Sequence, residues 1–278
     1  MKNQLIEIRK EFALSGFSEK TQAAYSACLR QFQEYYKTGL ENISKEQIKD
    51  YLYYLIDKRH LSVSSLKQYY YSIRYFYLKM HGKDMMEGFP EVKGRTMKLP
   101  QALARDEVKD IINSLSNIKH KTMLITTYSG GLRVSETAHL LVSDIDSKRM
   151  MIRVSQGKGK KDRYTLLSNA NLKYLRIYYK QYRPKYWLFS GYDRTKPIST
   201  RTIERVFDVA KQKAGIIKDV GIHSLRHSFA THLIESGIDV HYVQKFLGHS
   251  SIKTTAIYLH LTHSKLFNIQ NPIDFPEL

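Results

Sequence analysis

Hydrophobic positions in the first 80 residues recur every three to four residues, the spacing that lines one face of an α-helix. Tyr25, Leu29, Phe32 and Tyr36 fall on one such stripe, with Ser18 placed to cap its start and Thr38-Gly39 to end it after Lys37. Ser44 followed three residues later by Gln47 has the pattern of a capping box, and it opens a second stripe through Ile48, Tyr51, Leu52 and Leu55. A third stripe over residues 62–80 carries Leu66, Tyr69, Ile73, Phe76 and Tyr77, and residues 4–14 make a shorter fourth. No strand pattern interrupts them, so residues 1–80 are expected to pack as a small helical bundle.

The pattern breaks over residues 81–98. Gly82, Gly88, Pro90 and Gly94 stand among Lys83, Lys93, Arg95 and Lys98. Helix breakers mixed with cations predict an exposed basic linker, either running along a polyanion or simply solvated. Helical spacing returns over 105–115, 119–128 and 133–141, with a sharp turn at Ser129-Gly130-Gly131. Between 144 and 167 the period shortens to two. Met150, Ile152 and Val154 alternate, Gly157-Lys158-Gly159 reverses the chain, and Tyr164, Leu166 and Leu167 follow, which predicts a β-hairpin. Further helices are expected over 169–182, 200–214, 223–236, 240–246 and 251–260. The chain therefore reads as mainly α with a small antiparallel β-sheet: a helical bundle at 1–80, the linker at 81–98, and an α+β domain at 99–278.

Composition narrows the class. A chain of 278 residues, 42% of them hydrophobic, can bury two cores. No run of eighteen apolar residues suggests a membrane span, and residues 1–10 lack the apolar centre of a signal peptide. The single Cys28 excludes an internal disulfide and a cysteine-rich zinc site. Charge points to the partner. Forty-five Lys and Arg against 26 Asp and Glu give a net charge of +19, which draws polyanions, nucleic acid ahead of an anionic membrane because no basic helix carries an apolar Trp/Phe face.

Candidate chemistry concentrates near the C-terminus. His223, Arg226 and His227 occur as His-Ser-Leu-Arg-His, then Leu247-Gly248-His249-Ser250-Ser251, then Tyr258. Upstream stand Arg133, within Gly-Leu-Arg-Val-Ser-Glu, and Lys158 between two glycines. Two guanidiniums offer planar forks of donors that match the non-bridging oxygens of a phosphodiester and stabilise charge gathering there. His223 and His249 add donors or move protons near neutral pH. Tyrosine, with an ordinary pKa of about 10, becomes a usable nucleophile beside cations and a proton acceptor. Lys158 on a hairpin tip suits a general acid for a leaving 5′-hydroxyl. No cluster of Asp and Glu of the kind that holds Mg²⁺ accompanies these groups, so no metal and no cofactor is expected. His223 and His227, four apart, also have the spacing of two metal ligands, though no Glu lies between them and no third ligand is evident.

These motifs resemble the tyrosine recombinase (phage integrase) family across nearly the whole chain. Residues 131–136 resemble its first arginine box, 223–233 its second, and 247–258 the segment ending in its tyrosine, while Ser18-Glu19-Lys20-Thr21 with Tyr25 is similar to the start of its SAM-like core-binding domain. The resemblance implies a site-specific DNA recombinase that cleaves and rejoins strands through a 3′-phosphotyrosine intermediate. Arg133 and Arg226 would bind the scissile phosphate, and Lys158 would protonate the leaving group. His223 would act as base or phosphate ligand, His249 would donate to the phosphate, and Tyr258 would attack. It also implies two domains gripping duplex DNA and a homotetramer, or a heterotetramer with a related recombinase, on synapsed sites, in the cytoplasm with the nucleoid. Lys20, Lys67, Lys93, Arg95, Lys160, Arg201 and Arg205 are the candidate DNA contacts. The helices over 62–79 and 200–213 are either base readers or packing helices. Size and boxes look most like Xer, integron and transposon-borne integrases. Two rival readings are a non-catalytic architectural DNA-binding protein and a type IB topoisomerase-like enzyme that relaxes DNA.

Overall fold

The computed structural model describes residues 2–90, 92, 101–155 and 162–261. The chain divides into two compact units, Met1–Lys98 and Leu99–Leu278.

The first unit is built from α1 (Lys2–Leu14), α2 (Glu19–Tyr36), α3 (Lys45–Asp57) and α4 (Val63–His81). Ser18, Ser44 and Ser62 each accept the backbone N–H three residues on, at 3.2 Å, and such caps are worth about 1 kcal/mol apiece. The Gln47 carboxamide oxygen accepts the Ser44 amide and completes the capping box. Phe12, Leu29, Phe32, Ile48, Leu55, Ile73 and Phe76 meet in one core. Several tyrosines here are structural: Tyr36 donates to the Gln47 carbonyl and Tyr77 to that of Leu40, both at 2.6 Å.

The expected exposed linker starts later than its composition suggests. Asp84 accepts two hydrogen bonds from the Arg74 guanidinium, at 2.7 and 3.0 Å, and Met86 is buried in the helical core with Met85, Phe89 and Val92 packed beside it. The glycines and cations hid an apolar set that docks on the bundle. Lys93 and Arg95 lie outside the described residues.

The second unit contains α5 (Arg105–Asn113), α6 (Ile118–Ser129), α7 (Val134–Ala138), β1 (Ile145–Asp146), β2 (Met151–Val154), β3 (Arg163–Leu166), α8 (Asn169–Tyr182), α9 (Thr200–Lys213), α10 (His223–Glu235), α11 (Val240–Leu247) and α12 (Ile252–Ala256). The strands form one antiparallel sheet in the order β1-β2-β3. Ile152 pairs with Thr165 and Val154 with Arg163. Ile152, Val154 and Thr165 are buried, while Tyr164 points outward, so the inward register of β3 rests on Thr165, whose hydroxyl donates to the Gly130 carbonyl at 2.8 Å. The hairpin is as expected, and its tip, with Lys158 and Lys160, lies outside the described residues.

Two elements differ from the periodicity. The helix expected over 133–141 is only α7: it starts after Arg133, whose extended backbone caps it, and ends at Ala138. The last stretch leaves α geometry at Ala256 and continues as a 3₁₀ turn, Ile257–Leu261. The fold therefore puts Arg133 and Tyr258 on short, irregular pieces, while Arg226 sits on the long buried α10.

Candidate active site

The centre of the site is a carboxylate that the sequence reading did not single out. Glu136, its side chain 6% exposed, collects three arginines. Arg163 binds it with both terminal nitrogens, at 2.7 and 2.8 Å. Arg133 donates from Nη1 at 2.7 Å and from its backbone amide at 2.8 Å. Arg226 Nη1 lies 3.7 Å away. Burial alone would raise the Glu136 carboxyl. The bonds and charge of Arg163, with the amide and charge of Arg133, outweigh it and hold the pKa at about 2. One negative charge thus orders several positive ones and leaves a net cationic pocket.

Arg226 is positioned through the backbone. Its Nη1 donates to the Gly131 carbonyl and its Nη2 to the Leu247 carbonyl, each at 2.6 Å. Burial, then the charge of Arg133, brings its pKa down to about 9 against the pull of Glu136, which leaves it charged at neutral pH. A guanidinium has five N–H donors, so others remain for an incoming anion. Gly131 has a φ of +57°, and a Cβ there would overlap the Phe229 ring. Gly248 has a φ of +64°, and a Cβ there would meet the Arg163 side chain. Both turns need glycine because the backbone is left-handed and a side chain, Phe229 at one and Arg163 at the other, fills the space a Cβ would take.

Tyr258 is 3% exposed and packs with Phe229, Ala230, Ile234, Val243 and Leu247. Its Oη lies 2.8 Å from His227 Nδ1. The His249 ring lies nearly parallel to it, with centroids 6.5 Å apart and 16° between planes. Burial pushes the phenol above its ordinary value, and the charges of Arg226 and Arg133 pull the other way. His249 is oriented by Thr255, whose hydroxyl is 2.9 Å from Nδ1. Burial, then Arg226, Arg133, Arg163 and His227, lowers its pKa to about 4, so His249 is neutral at pH 7. His223 is the exposed first residue of α10.

Of the expected catalytic residues, Arg133, His223, Arg226, His249 and Tyr258 lie in this unit: the charges of Arg133 and Arg226 act on His249 and Tyr258, while His223 acts on His227. Lys158 is outside the described residues. Among the described residues no group of three His, Cys, Asp or Glu could hold a metal. Lys20 is exposed in the first turn of α2, Lys67 is half-buried on α4, and Arg201 and Arg205 are exposed on α9. Glu136 and Arg163 are the groups that sequence reasoning missed, and His227 was weighed there only as one of two spaced metal ligands. Glu136 had a signal, since it stands three residues after Arg133 at capping-box spacing. Arg163 had none, because it reaches Glu136 across 27 residues.

A helical unit followed by a small sheet and helices that gather arginines, histidines and a buried tyrosine defines a class of enzyme for phosphoryl chemistry. Residues 101–265 match the Phage integrase family, and residues 5–87 match the Phage integrase, N-terminal SAM-like domain. The chain belongs to the phage integrase family, the tyrosine recombinases. A putative integrase/recombinase, y4qK, of Sinorhizobium fredii is 36% identical over 267 residues, covering 95% of this chain and 86% of that protein. Tyrosine recombinase XerD of Staphylococcus aureus is 33% identical over 277 residues, 92% of each. Among solved structures, a lambda integrase tetramer bound to a Holliday junction superposes with a TM-score of 0.75 at 19% identity, over 92% of this chain and 76% of that one. The architectural and topoisomerase readings are not favoured. No helix among the described residues is long and apolar enough to cross a membrane.

Proposed function

We propose that Tyr258 is the nucleophile of a site-specific DNA recombination reaction and that Arg133, Arg226, His223, His249 and Lys158 form the phosphate site around it. The observation that carries this reading is a buried phenol in the field of two guanidiniums that a single carboxylate holds in place. Tyr258 Oη attacks phosphorus, a 3′-phosphotyrosine bond forms, and the 5′-oxygen leaves with a proton supplied by Lys158. Attack by a different 5′-hydroxyl reverses these events on a new partner without ATP. Arg133 and Arg226 stabilise the charge on the non-bridging oxygens, and neutral His249 donates a hydrogen bond to one of them.

The substrate is duplex DNA at a specific site. Lys20, Lys67, Lys93, Arg95, Lys160, Arg201 and Arg205 supply backbone or base contacts. Arg201 and Arg205 are exposed while Ile203, Val206, Phe207 and Ala210 of the same helix are buried, a geometry that supports groove contact by α9. The helical domain, with Met85, Met86, Phe89 and Val92 packed on it, the basic stretch that follows and the catalytic domain at 99–278 act together as a homotetramer, or a heterotetramer with a related recombinase, on synapsed DNA. The place of action is the cytoplasm, on the nucleoid.

The test is a denaturant-stable adduct. Full-length protein incubated with genomic DNA in EDTA, then treated with SDS, is expected to retain covalently bound DNA whose trapped ends share one sequence. Cleavage that strictly requires Mg²⁺ would overturn the reading. Arg133→Ala should slow adduct formation by about 10²–10³-fold, the scale of removing one transition-state donor, with duplex binding measured in parallel. An unchanged cleavage rate would remove Arg133 from the phosphate site.

A further inference from the structure

His227 is absent from the phosphate site just described, yet its Nδ1 is the group in hydrogen-bond contact with the attacking oxygen, at 2.8 Å. Both partners sit on defined structure: His227 on α10, one residue after Arg226, and Tyr258 in the 3₁₀ turn packed against that helix. The imidazole is half-buried and the phenol is buried in a small apolar cluster, so water competes poorly for the bond. His223, by contrast, is exposed at the end of the same helix.

We propose that His227 is the catalytic proton acceptor for Tyr258. The inference rests on Tyr258 being the nucleophile. In the tautomer carrying its proton on Nε2, Nδ1 accepts the phenolic hydrogen. As Oη bonds to phosphorus, that proton passes to Nδ1 and gives an imidazolium. When the incoming 5′-hydroxyl displaces Tyr258, the proton returns to Oη, so the cycle closes without an external base. The charged surroundings make this transfer depend on substrate. His223 and Arg226 on α10 face the imidazole, as do His249 and Tyr258 from the segments packed on it. Farther along α10, Tyr128 and Arg105 act on His232 instead. Burial, then His223 and Arg226, lowers the His227 pKa to about 4, so the resting imidazole is neutral and free to accept. A DNA phosphate bound by Arg226 brings the negative charge that makes the imidazolium tolerable. Proton transfer is thereby tied to a phosphodiester being in place.

The experiment uses the full chain and a nicked duplex carrying the sequence recovered from DNA trapped on the wild-type protein. His227→Asn retains an acceptor oxygen near the Nδ1 position but takes no proton. It should bind the duplex as the wild type does and form adduct about 10²-fold more slowly, the lower end of general-base contributions. It should also lose the acid limb that the wild-type rate shows as His227 protonates. A substrate with sulfur in place of the bridging 5′-oxygen, whose leaving group needs no protonation, should leave the His227→Asn defect intact. Wild-type rates and an unchanged pH profile in His227→Asn would overturn the proposal. Should that variant misfold, ¹⁵N-histidine NMR of the wild type decides: Nδ1 of His227 should be unprotonated and hydrogen-bonded, and its signal should shift in Tyr258→Phe. A protonated Nδ1 at neutral pH would equally overturn it. Failure of the nucleophile assignment looks different, because Tyr258→Phe would then still form adduct.

Discussion

Tyr258→Phe is expected to bind DNA and form no covalent product. The substitution removes one oxygen and keeps the ring that fills the cluster of Phe229, Ala230, Ile234, Val243 and Leu247. Its structural cost is small, about 1 kcal/mol for the hydrogen bond to His227 that is lost. Its chemical cost is the whole reaction. Removing a nucleophile from a covalent-catalysis site lowers turnover by roughly 10⁶-fold, below detection in an SDS-adduct assay. Gel-shift binding at matched salt checks that the duplex is still held, since phosphate contacts lose affinity as salt rises. A persisting adduct on the phenylalanine variant would move the nucleophile to another residue. Tyr128 is the tyrosine to examine first, because its phenol also meets a histidine, His232, at 2.8 Å.

Glu136→Gln should produce the largest loss of stability of any isosteric change in the catalytic unit. The amide keeps the shape and removes the carboxylate charge that Arg133 and Arg163 bind directly and that Arg226 approaches. Breaking one side of a buried ionic cluster costs about 3–5 kcal/mol. For a unit of this size that lowers the melting temperature by roughly 10 °C. The wild type should show the same interaction as a pH effect. Folding lowers the Glu136 pKa from 4.5 to about 2. A lowered pKa stabilises the fold when the group is ionised, so the contribution is complete above pH 4.5 and is lost as the pH falls toward 2. The difference corresponds to about 3 kcal/mol. Thermal melts between pH 2.5 and 7 should show the acid limb in the wild type and a flatter one in Glu136→Gln. Equal melting temperatures at pH 7 would mean that the arginines find other partners. Adduct formation should fall as well, because Arg133 and Arg226 lose the group that sets their separation.

How legible all this was depends on the range of the interaction. The first four helices were readable because capping and core burial are local: Ser18, Ser44 and Ser62 lie next to the stripes they start, and each stripe repeats within one helix. The hairpin was readable from the alternation of Ile152 and Val154. Residues 84–89 were misjudged because the helix breakers and cations around them, Gly82, Lys83, Pro90 and Lys93, set the reading while Met86 and Phe89 decide the packing. Arg133 was placed inside a helix by periodicity, yet it caps one. Periodicity does not register that the Glu136 carboxylate bonds back to the Arg133 amide.

The functional residues divide along the same line. The sequence alone singled out the side chains proposed for the chemistry, because phosphate binding and nucleophilic attack demand particular residue types and these occur in recognisable groups around Arg133, Arg226, His249 and Tyr258. Only the tertiary structure decided how they are held and which histidine touches the phenol. Glu136 meets Arg163 across 27 residues and His227 meets Tyr258 across 31. Contacts of that span arise when α10 is packed against the 3₁₀ turn and a side chain of β3 reaches α7, and no local pattern of residues encodes them.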